Sequence, residues 1–233
     1  MNRFFTIVTA FLCLAVAPFA AADEHAQKAI LVTGASSGIG LKITERLAAE
    51  GHFVYAGERK PQDIARLSAM DNVMGIRLDV TEQDEIDAAV ELVREEGRGL
   101  WGIINNAGVY AGGPMLEMSE EDLQFQLDVN VFGPYRVNKA FADLILESGG
   151  RFNVISSISG TLSGPGSGAY SMSKHAMEAY TDALAVEMEK FGVAASAELA
   201  SSASPNSAGL SSSARFDVTT IDRPVIAGDE VLI

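Results

Sequence analysis

The chain has 233 residues, 48% hydrophobic and 21% charged, which suits one well-packed domain and not comfortably two. Its net charge is −14 and its pI is near 4.6. That balance argues against nucleic acid as a partner, since phosphate binding needs a basic face; the acidity serves solubility instead.

The first residues read as a targeting segment. Met1-Asn2-Arg3 carries one positive charge, and Phe4 to Val16 is apolar apart from Thr6 and Thr9. Pro18 follows, then Ala20-Ala21-Ala22 before Asp23-Glu24. A charged start, an apolar core and a small-residue cleavage site are the layout of a secretory signal. The alternative is an uncleaved anchor, because the 19 residues Phe4 to Ala22 approach the ~20 needed to span a bilayer. Arg3 on one flank and Asp23-Glu24 on the other keep the N-terminus in the cytoplasm and the domain outside. Export to the periplasm or beyond is the first expectation and membrane anchoring the second. No twin-arginine pair precedes the apolar core, so export with a cofactor already bound is not signalled. Cys13 lies inside this segment and lacks the small residue before it that a lipoprotein signal would show. After cleavage no cysteine remains, which excludes disulfides and thiol catalysis. No metal site is expected.

Strand-like and helix-like segments then alternate. Ala29 to Thr33 is a short apolar run, the first strand. Gly38 to Glu50 places Ile39, Ile43, Leu47 and Ala48 at helical spacing. His52 to Ala56 is a second strand, opened by Gly51, and Val73 to Leu78 a third. Thr81 to Glu96 is a helix with Thr81 as N-cap and Asp84 and Glu85 in its first turn. Trp101 to Ile104 is a fourth strand. Ser119 caps a helix running toward Asn130, which resumes after Gly133-Pro134 through Leu146. Phe152 to Ser156 is a fifth strand, and Tyr170 to Phe191 a long helix. Strands separated by helices imply an α/β fold with a doubly wound parallel sheet, its ligand crevice at the carboxyl ends of the strands. No solenoid-period repeat is present.

Thr33-Gly34-Ala35-Ser36-Ser37-Gly38-Ile39-Gly40 follows a strand and opens a helix, the context a dinucleotide fingerprint requires. Gly34 allows the tight turn, Gly38 lets backbone approach a pyrophosphate, and Gly40 lets helix and strand pack closely. The helix N-terminus faces the phosphates with its amides and dipole. The spacing is Gly-x-x-x-Gly-x-Gly, so a glycine-rich turn that binds nothing stands as the bland alternative. Far downstream, Tyr170-x-x-x-Lys174 puts a phenol and an ammonium one helical turn apart on one face, thirteen residues after Ser157. An isolated tyrosine is usually a core residue with its hydroxyl at the surface.

Taken together, the glycine turn, Asn105-Asn106-Ala107-Gly108, Asn130, Ser157 and Tyr170-x-x-x-Lys174 resemble the short-chain dehydrogenase/reductase family. The resemblance runs from about Lys28 to Val193. Gly99 to Gly108 and Leu127-Asp128-Val129-Asn130 look most like its retinol and hydroxysteroid dehydrogenase branch. A Rossmann-like sheet is what that resemblance implies.

It also implies roles. Tyr170 would be the general acid in reduction and the base in oxidation; a free phenol, with pKa near 10, needs help at neutral pH. Lys174 would favour the phenolate and bind the nicotinamide ribose. Ser157 would hydrogen-bond the substrate oxygen, and Asn130 would position a water linking Lys174 to solvent. Gly34, Ser36, Ser37, Gly38, Ile39 and Gly40 would cradle the dinucleotide. Asp79 and Val80 would meet the adenine, though a plain helix-leading acid is the alternative for Asp79. Asn106, Ala107 and Gly108 would line the adenosine side and steady the sheet centre. Glu58 would take the ribose hydroxyls and repel a 2′-phosphate, favouring NAD; Arg59 and Lys60 would embrace that phosphate, favouring NADP. Solvated loop charges are the other reading of this pair. NAD is the preferred expectation.

The tail departs from the pattern. After Val193 the family has a sixth strand ending in Pro-Gly, then a substrate-covering segment and a seventh strand. Here Ala194 to Ala214 is small, polar and of low complexity, a composition expected to stay disordered. The abrupt switch looks like a reading-frame change. Ile221 to Ile233 faintly resembles the opening strands of medium-chain dehydrogenases. The chain therefore divides into a signal or anchor (1–22), a dinucleotide-binding catalytic domain (23–193) and an atypical tail (194–233), with C-terminal strands atypical or missing.

Two functions follow. The first is an oxidoreductase passing hydride between NAD or NADP and an alcohol or carbonyl, apolar and retinoid-like or steroid-like. The second is a non-enzymatic nucleotide-binding remnant with an incomplete substrate pocket. Expected partners are that small molecule, a membrane only through an uncleaved N-terminal segment, and a second copy of the chain. Ala176, Ala179, Ala183 and Leu184 would serve a pairing face, or equally the core.

Overall fold

The computed structural model describes residues 27–200; the proposed signal or anchor, Cys13 and residues 201–233 lie outside them. In chain order the elements are β1 (Ala29–Thr33), α1 (Gly38–Ala49), β2 (Phe53–Glu58), α2 (Pro61–Ser68), β3 (Val73–Arg77), α3 (Gln83–Glu96) and β4 (Gly102–Asn105). Then come α4 (Glu120–Leu127), a π-helical turn (Asp128–Phe132), α5 (Gly133–Ala140), α6 (Ala142–Ser148), β5 (Arg151–Ser157), α7 (Gly168–Glu189) and β6 (Ala194–Ala200).

Six parallel strands form one sheet in the order β3-β2-β1-β4-β5-β6. Every residue of β1 is buried, as expected for a strand covered on both faces. Alternation along β1 divides the core. Leu31 joins a cluster with Ile86, Val93, Val137, Phe141 and Ile145, beneath α3, α5 and α6. Ile30 and Val32 join Ile43, Leu47 and Leu67 beneath α1 and α2. The order reverses between β1 and β4, which opens the crevice at their carboxyl ends.

Several boundaries differ from the sequence expectation. Helix α2 was not anticipated: Pro61 starts it, but Leu67 is its one fully buried residue, too little for a periodic signal. Thr81 does not cap α3, which begins at Gln83. Its backbone N–H and hydroxyl both donate to Asp79 Oδ1, 3.0 and 2.7 Å away, so a local turn takes the hydroxyl. Ser119 does cap α4, its Oγ accepting from the Asp122 N–H.

The larger correction concerns the segment after Val193. Ala194–Ala200 is not loose tail but strand β6, paired with β5 from Arg151↔Ala194 to Ser157↔Ala200. The domain therefore extends past 193, and the sixth strand is present. A parallel ladder is made by backbone groups, so small side chains do not prevent it. Ala195 enters the core beside Val193, and Ser196 Oγ accepts from Asn153 Nδ2 at 3.1 Å.

Candidate active site

The turn after β1 is held open by specific contacts. Gly34 and Gly38 have φ of +64° and +54°, the left-handed region where glycine alone is unstrained. A Cβ on Gly40 would collide with the Gly34 carbonyl and the Asn106 side chain, so the first turn of α1 lies against the loop itself. A Cβ on Gly38 would meet nothing, so that backbone is bare toward open space. Helix α1 follows without a side-chain cap at Ser37, leaving its first amides to whatever occupies the cleft.

Asn106 and Thr33 fasten the turn to β4. Asn106 Nδ2 donates to the carbonyls of Thr33 (3.0 Å) and Gly34 (2.9 Å). Thr33 Oγ1 accepts the N–H groups of Asn106 (3.1 Å) and Ala107 (3.0 Å). Glu58, buried at the end of β2, accepts the Ser36 N–H on Oε1 at 2.7 Å.

A cleft of about 420 Å³ opens here. Gly34, Ser36, Ser37, Ile39, Glu58, Arg59, Asp79, Val80, Asn106, Ala107 and Gly108 all line it. Gly38 and Gly40 shape the turn rather than the wall. Lys60, expected beside a 2′-phosphate, lines the cleft too. Gly57, Asp63, Leu78, Val109 and Val129 also line it and were not among the expected binding residues; four of them flank Glu58, Asp79, Gly108 and Asn130, and adjacency was the available signal. Arg59, 60% exposed, lies 3.7 Å from Asp79 Oδ2. Burial works against the Asp79 charge, but the two Thr81 hydrogen bonds, with Arg59 and Arg77, outweigh it and hold the carboxyl below its usual range. The bare glycine backbone, the free helix start and the acid at the end of β2 fit a dinucleotide.

The second cluster sits at the carboxyl end of β5. Tyr170 and Lys174 share one face of α7, which sets the Tyr170 hydroxyl toward the side chain of Ser157, the last residue of β5. Burial pushes the phenol above its ordinary value, and the nearby Ser157 hydroxyl opposes that shift. Burial pulls Lys174 down to about 8, with the Glu178 carboxylate acting against it. Lys174 Nζ donates to the Ile155 carbonyl at 2.7 Å and stands 5.7 Å from the Tyr170 ring centre. The ammonium is thus anchored to the strand, not bonded to the phenol, because a buried charge takes the nearest acceptor.

Asn130 lies in the π-helical turn, fully buried. Its Oδ1 accepts the Val109 N–H at 2.8 Å; Nδ2 donates to the Val109 carbonyl (2.9 Å) and Ser173 Oγ (3.1 Å). Both amide hydrogens are therefore engaged. The side chain braces the loop after β4 against α7.

An aromatic side chain packs against the phenol. The Tyr110 ring meets the Tyr170 ring edge-on at 5.3 Å. Its hydroxyl donates to the Gly166 carbonyl at 3.2 Å. Met115 packs so closely on Gly168 that a Cβ there would lie 2.5 Å from its sulfur. Ile158, Leu162 and Leu199, beside the ends of β5 and β6, are 60%, 63% and 59% exposed.

Comparison with known proteins agrees with this arrangement. A family model described as short chain dehydrogenase matches residues 28–201. The uncharacterized oxidoreductase YbbO of Escherichia coli (strain K12) is 38% identical over 169 residues, covering 72% of this chain and 62% of that protein. Mitochondrial D-beta-hydroxybutyrate dehydrogenase of Bos taurus is 34% identical over 184 residues (75% and 54%). Retinol dehydrogenase 16 of Mus musculus is 35% identical over 176 residues (73% and 55%). The chain thus spans less than two thirds of these relatives. A solved actinorhodin polyketide ketoreductase with NADPH superposes with a TM-score of 0.70 at 33% identity, over 73% of this chain and 69% of that one. A short chain dehydrogenase/reductase from Burkholderia phymatum in complex with NAD gives 0.69 at 29% identity, over 73% and 64%.

Proposed function

The chain belongs to the short-chain dehydrogenase/reductase family, and on that premise we propose that it moves hydride between NAD(P) and an alcohol or carbonyl, with Tyr170 as general acid/base. The observation that carries this reading is the gathering of Ser157, Tyr170 and Lys174 at the carboxyl end of β5, with Asn130 joining α7 through Ser173 to Val109 of the dinucleotide cleft. A bound nicotinamide would supply or accept the hydride. Tyr170 Oη gives its proton to the substrate oxygen in reduction and takes it back in oxidation. Ser157 Oγ holds that oxygen and stabilises the charge developing on it. Lys174 supplies the positive charge that favours the phenolate. The test is cofactor absorbance during turnover of an alcohol and carbonyl panel by the purified chain. No turnover above background with NADH or NADPH overturns the reading.

The substrate in this proposal is apolar. Tyr110 packs on the Tyr170 ring, and Ile158, Leu162 and Leu199, which follow or end β5 and β6 in the chain, are exposed; apolar surface left to water favours an apolar ligand. Retinoid-like and steroid-like alcohols head the panel; small hydroxy acids are the contrasting set.

The cofactor in this proposal is NAD. The Glu58 carboxylate sits at the end of β2, lining the cleft, where it opposes a 2′-phosphate. Arg59 is the competing feature, and its contact with Asp79 draws it toward the adenine side.

The proposed address is outside the cytoplasm, with membrane anchoring second, from the leader layout of residues 1–22. No helix among the described residues is long and apolar enough to cross a membrane. Fractionation with N-terminal sequencing decides between a start at Asp23 and an intact Met1. Self-association is proposed through the outer face of α7. Ala179 and Ala183 are exposed there, whereas Leu184 packs on the core. Light scattering on the purified chain tests it.

A further inference from the structure

We propose that Glu178 is a positioning residue for the reaction centre: held by Ser156, its carboxylate supplies the counter-charge to the buried ammonium of Lys174 and locks α7 to the end of β5. This rests on the oxidoreductase reading above.

The geometry is a two-point clamp. Lys174 and Glu178 are four residues apart on α7, so they lie on one face. Lys174 Nζ donates to the carbonyl of Ile155. The Ser156 hydroxyl donates to Glu178 Oε1. The two side chains therefore grip consecutive residues of β5, and the next residue is Ser157, whose hydroxyl acts on the Tyr170 phenol. Gly160 completes the fit: a Cβ there would come within 2.8 Å of Glu178 Oε1 and 2.9 Å of Ser156 Oγ. The 3₁₀ turn after β5 is thus shaped around this carboxylate.

Charge gives the clamp its function. Lys174 is buried, and burial alone drives it toward the neutral amine. Among the described residues, Glu178 is the charge that opposes this. Tyr170, on the same helix, faces the ammonium with its ring. β5 offers a carbonyl and hydroxyls at Ile155, Ser156 and Ser157, and the π-helical turn reaches α7 through the neutral Asn130 and Ser173. A neutral Lys174 would lend the phenol no help. Glu178 acts through Lys174, without touching the reacting atoms.

The test measures the charge of Lys174 directly in the full chain, by pH-dependent competitive acetylation read by mass spectrometry. Glu178→Gln keeps an oxygen for the Ser156 hydroxyl and removes the charge. The Lys174 midpoint, near 8 in the parent chain, should move to lower pH in the variant. Turnover in the oxidation direction should fall several-fold at neutral pH, its rising pH limb displaced upward. Glu178→Asp, which restores the charge, should recover part of both. An unchanged or raised Lys174 midpoint in Glu178→Gln overturns the proposal. Should that variant not fold, Ser156→Ala is read the same way: a lower midpoint supports the clamp and an unchanged one overturns it. Because acetylation needs no turnover, failure here is distinct from failure of the oxidoreductase reading, which the absence of turnover with NADH and NADPH in the parent chain would show.

Discussion

Glu58 Oε1 accepts the backbone N–H of Ser36 at 2.7 Å, so the last residue of β2 holds the glycine turn that follows β1. One carboxylate thereby has two effects. It fixes the shape of the phosphate-facing loop, and it places a negative charge in the cleft.

Those effects separate by substitution. Glu58→Gln keeps an oxygen for Ser36 and removes the charge, so the ratio of NADP to NAD affinity should rise, with little loss of NAD binding. Glu58→Ala should shift the ratio the same way while weakening both cofactors, because the Ser36 N–H loses its partner, at about 1 kcal/mol. Titration of both cofactors by Trp101 fluorescence measures this. An unchanged ratio in both variants would show that the carboxylate does not act on the 2′ position.

Tyr170→Phe should lower turnover by roughly 10²-fold or more and leave dinucleotide affinity within a factor of a few. The lost hydroxyl is the group proposed to exchange the proton, and it sits on α7, not on the glycine turn before α1. Steady-state rates and cofactor titration on one preparation give both numbers.

Gly40→Ala should abolish dinucleotide binding and destabilise the domain by roughly 1–3 kcal/mol. The added methyl has no room against the Gly34 carbonyl and Asn106, so α1 must move away from the loop. Gly38→Ala is the contrast: in the free protein its methyl meets open space, so stability should fall only by the strain of its positive φ, while the methyl on the bare backbone should still weaken dinucleotide binding. Thermal melts and calorimetric titration distinguish the two.

Lys174→Met should abolish turnover and raise the unfolding temperature at pH 7. Burial lowers Lys174 from 10.5 to about 8. Below pH 8 the ammonium is charged both folded and unfolded, and the full penalty of burying it is present. Between 8 and 10.5 the unfolded chain keeps a proton that the folded chain has released, so stability rises with pH. Above 10.5 the penalty is gone. The advantage of Lys174→Met should therefore be largest at or below neutral pH and shrink as pH rises past 8. Part of it is offset by losing the hydrogen bond to Ile155. Melts at pH 7 and 9.5 test the trend.

What the sequence determined is local. Tyr170 and Lys174 share a face because any helix brings residues four apart together. Gly34 and Gly38 mark a turn because their backbone angles suit glycine. Apolar strands alternating with helical periods imply a parallel sheet, and six parallel strands are present.

What only the tertiary structure decided is which distant groups meet. Asn106 reads as a cleft residue, yet its side chain is a brace to Thr33 and Gly34, set by the pairing of β1 with β4. Asn130 is taken up by Val109 for the same kind of reason. Glu178 carries no signal in the sequence, because its partner Ser156 lies 22 residues away on a strand. β6 was misread because composition reports what side chains can bury, whereas a strand beside β5 is held first by its backbone.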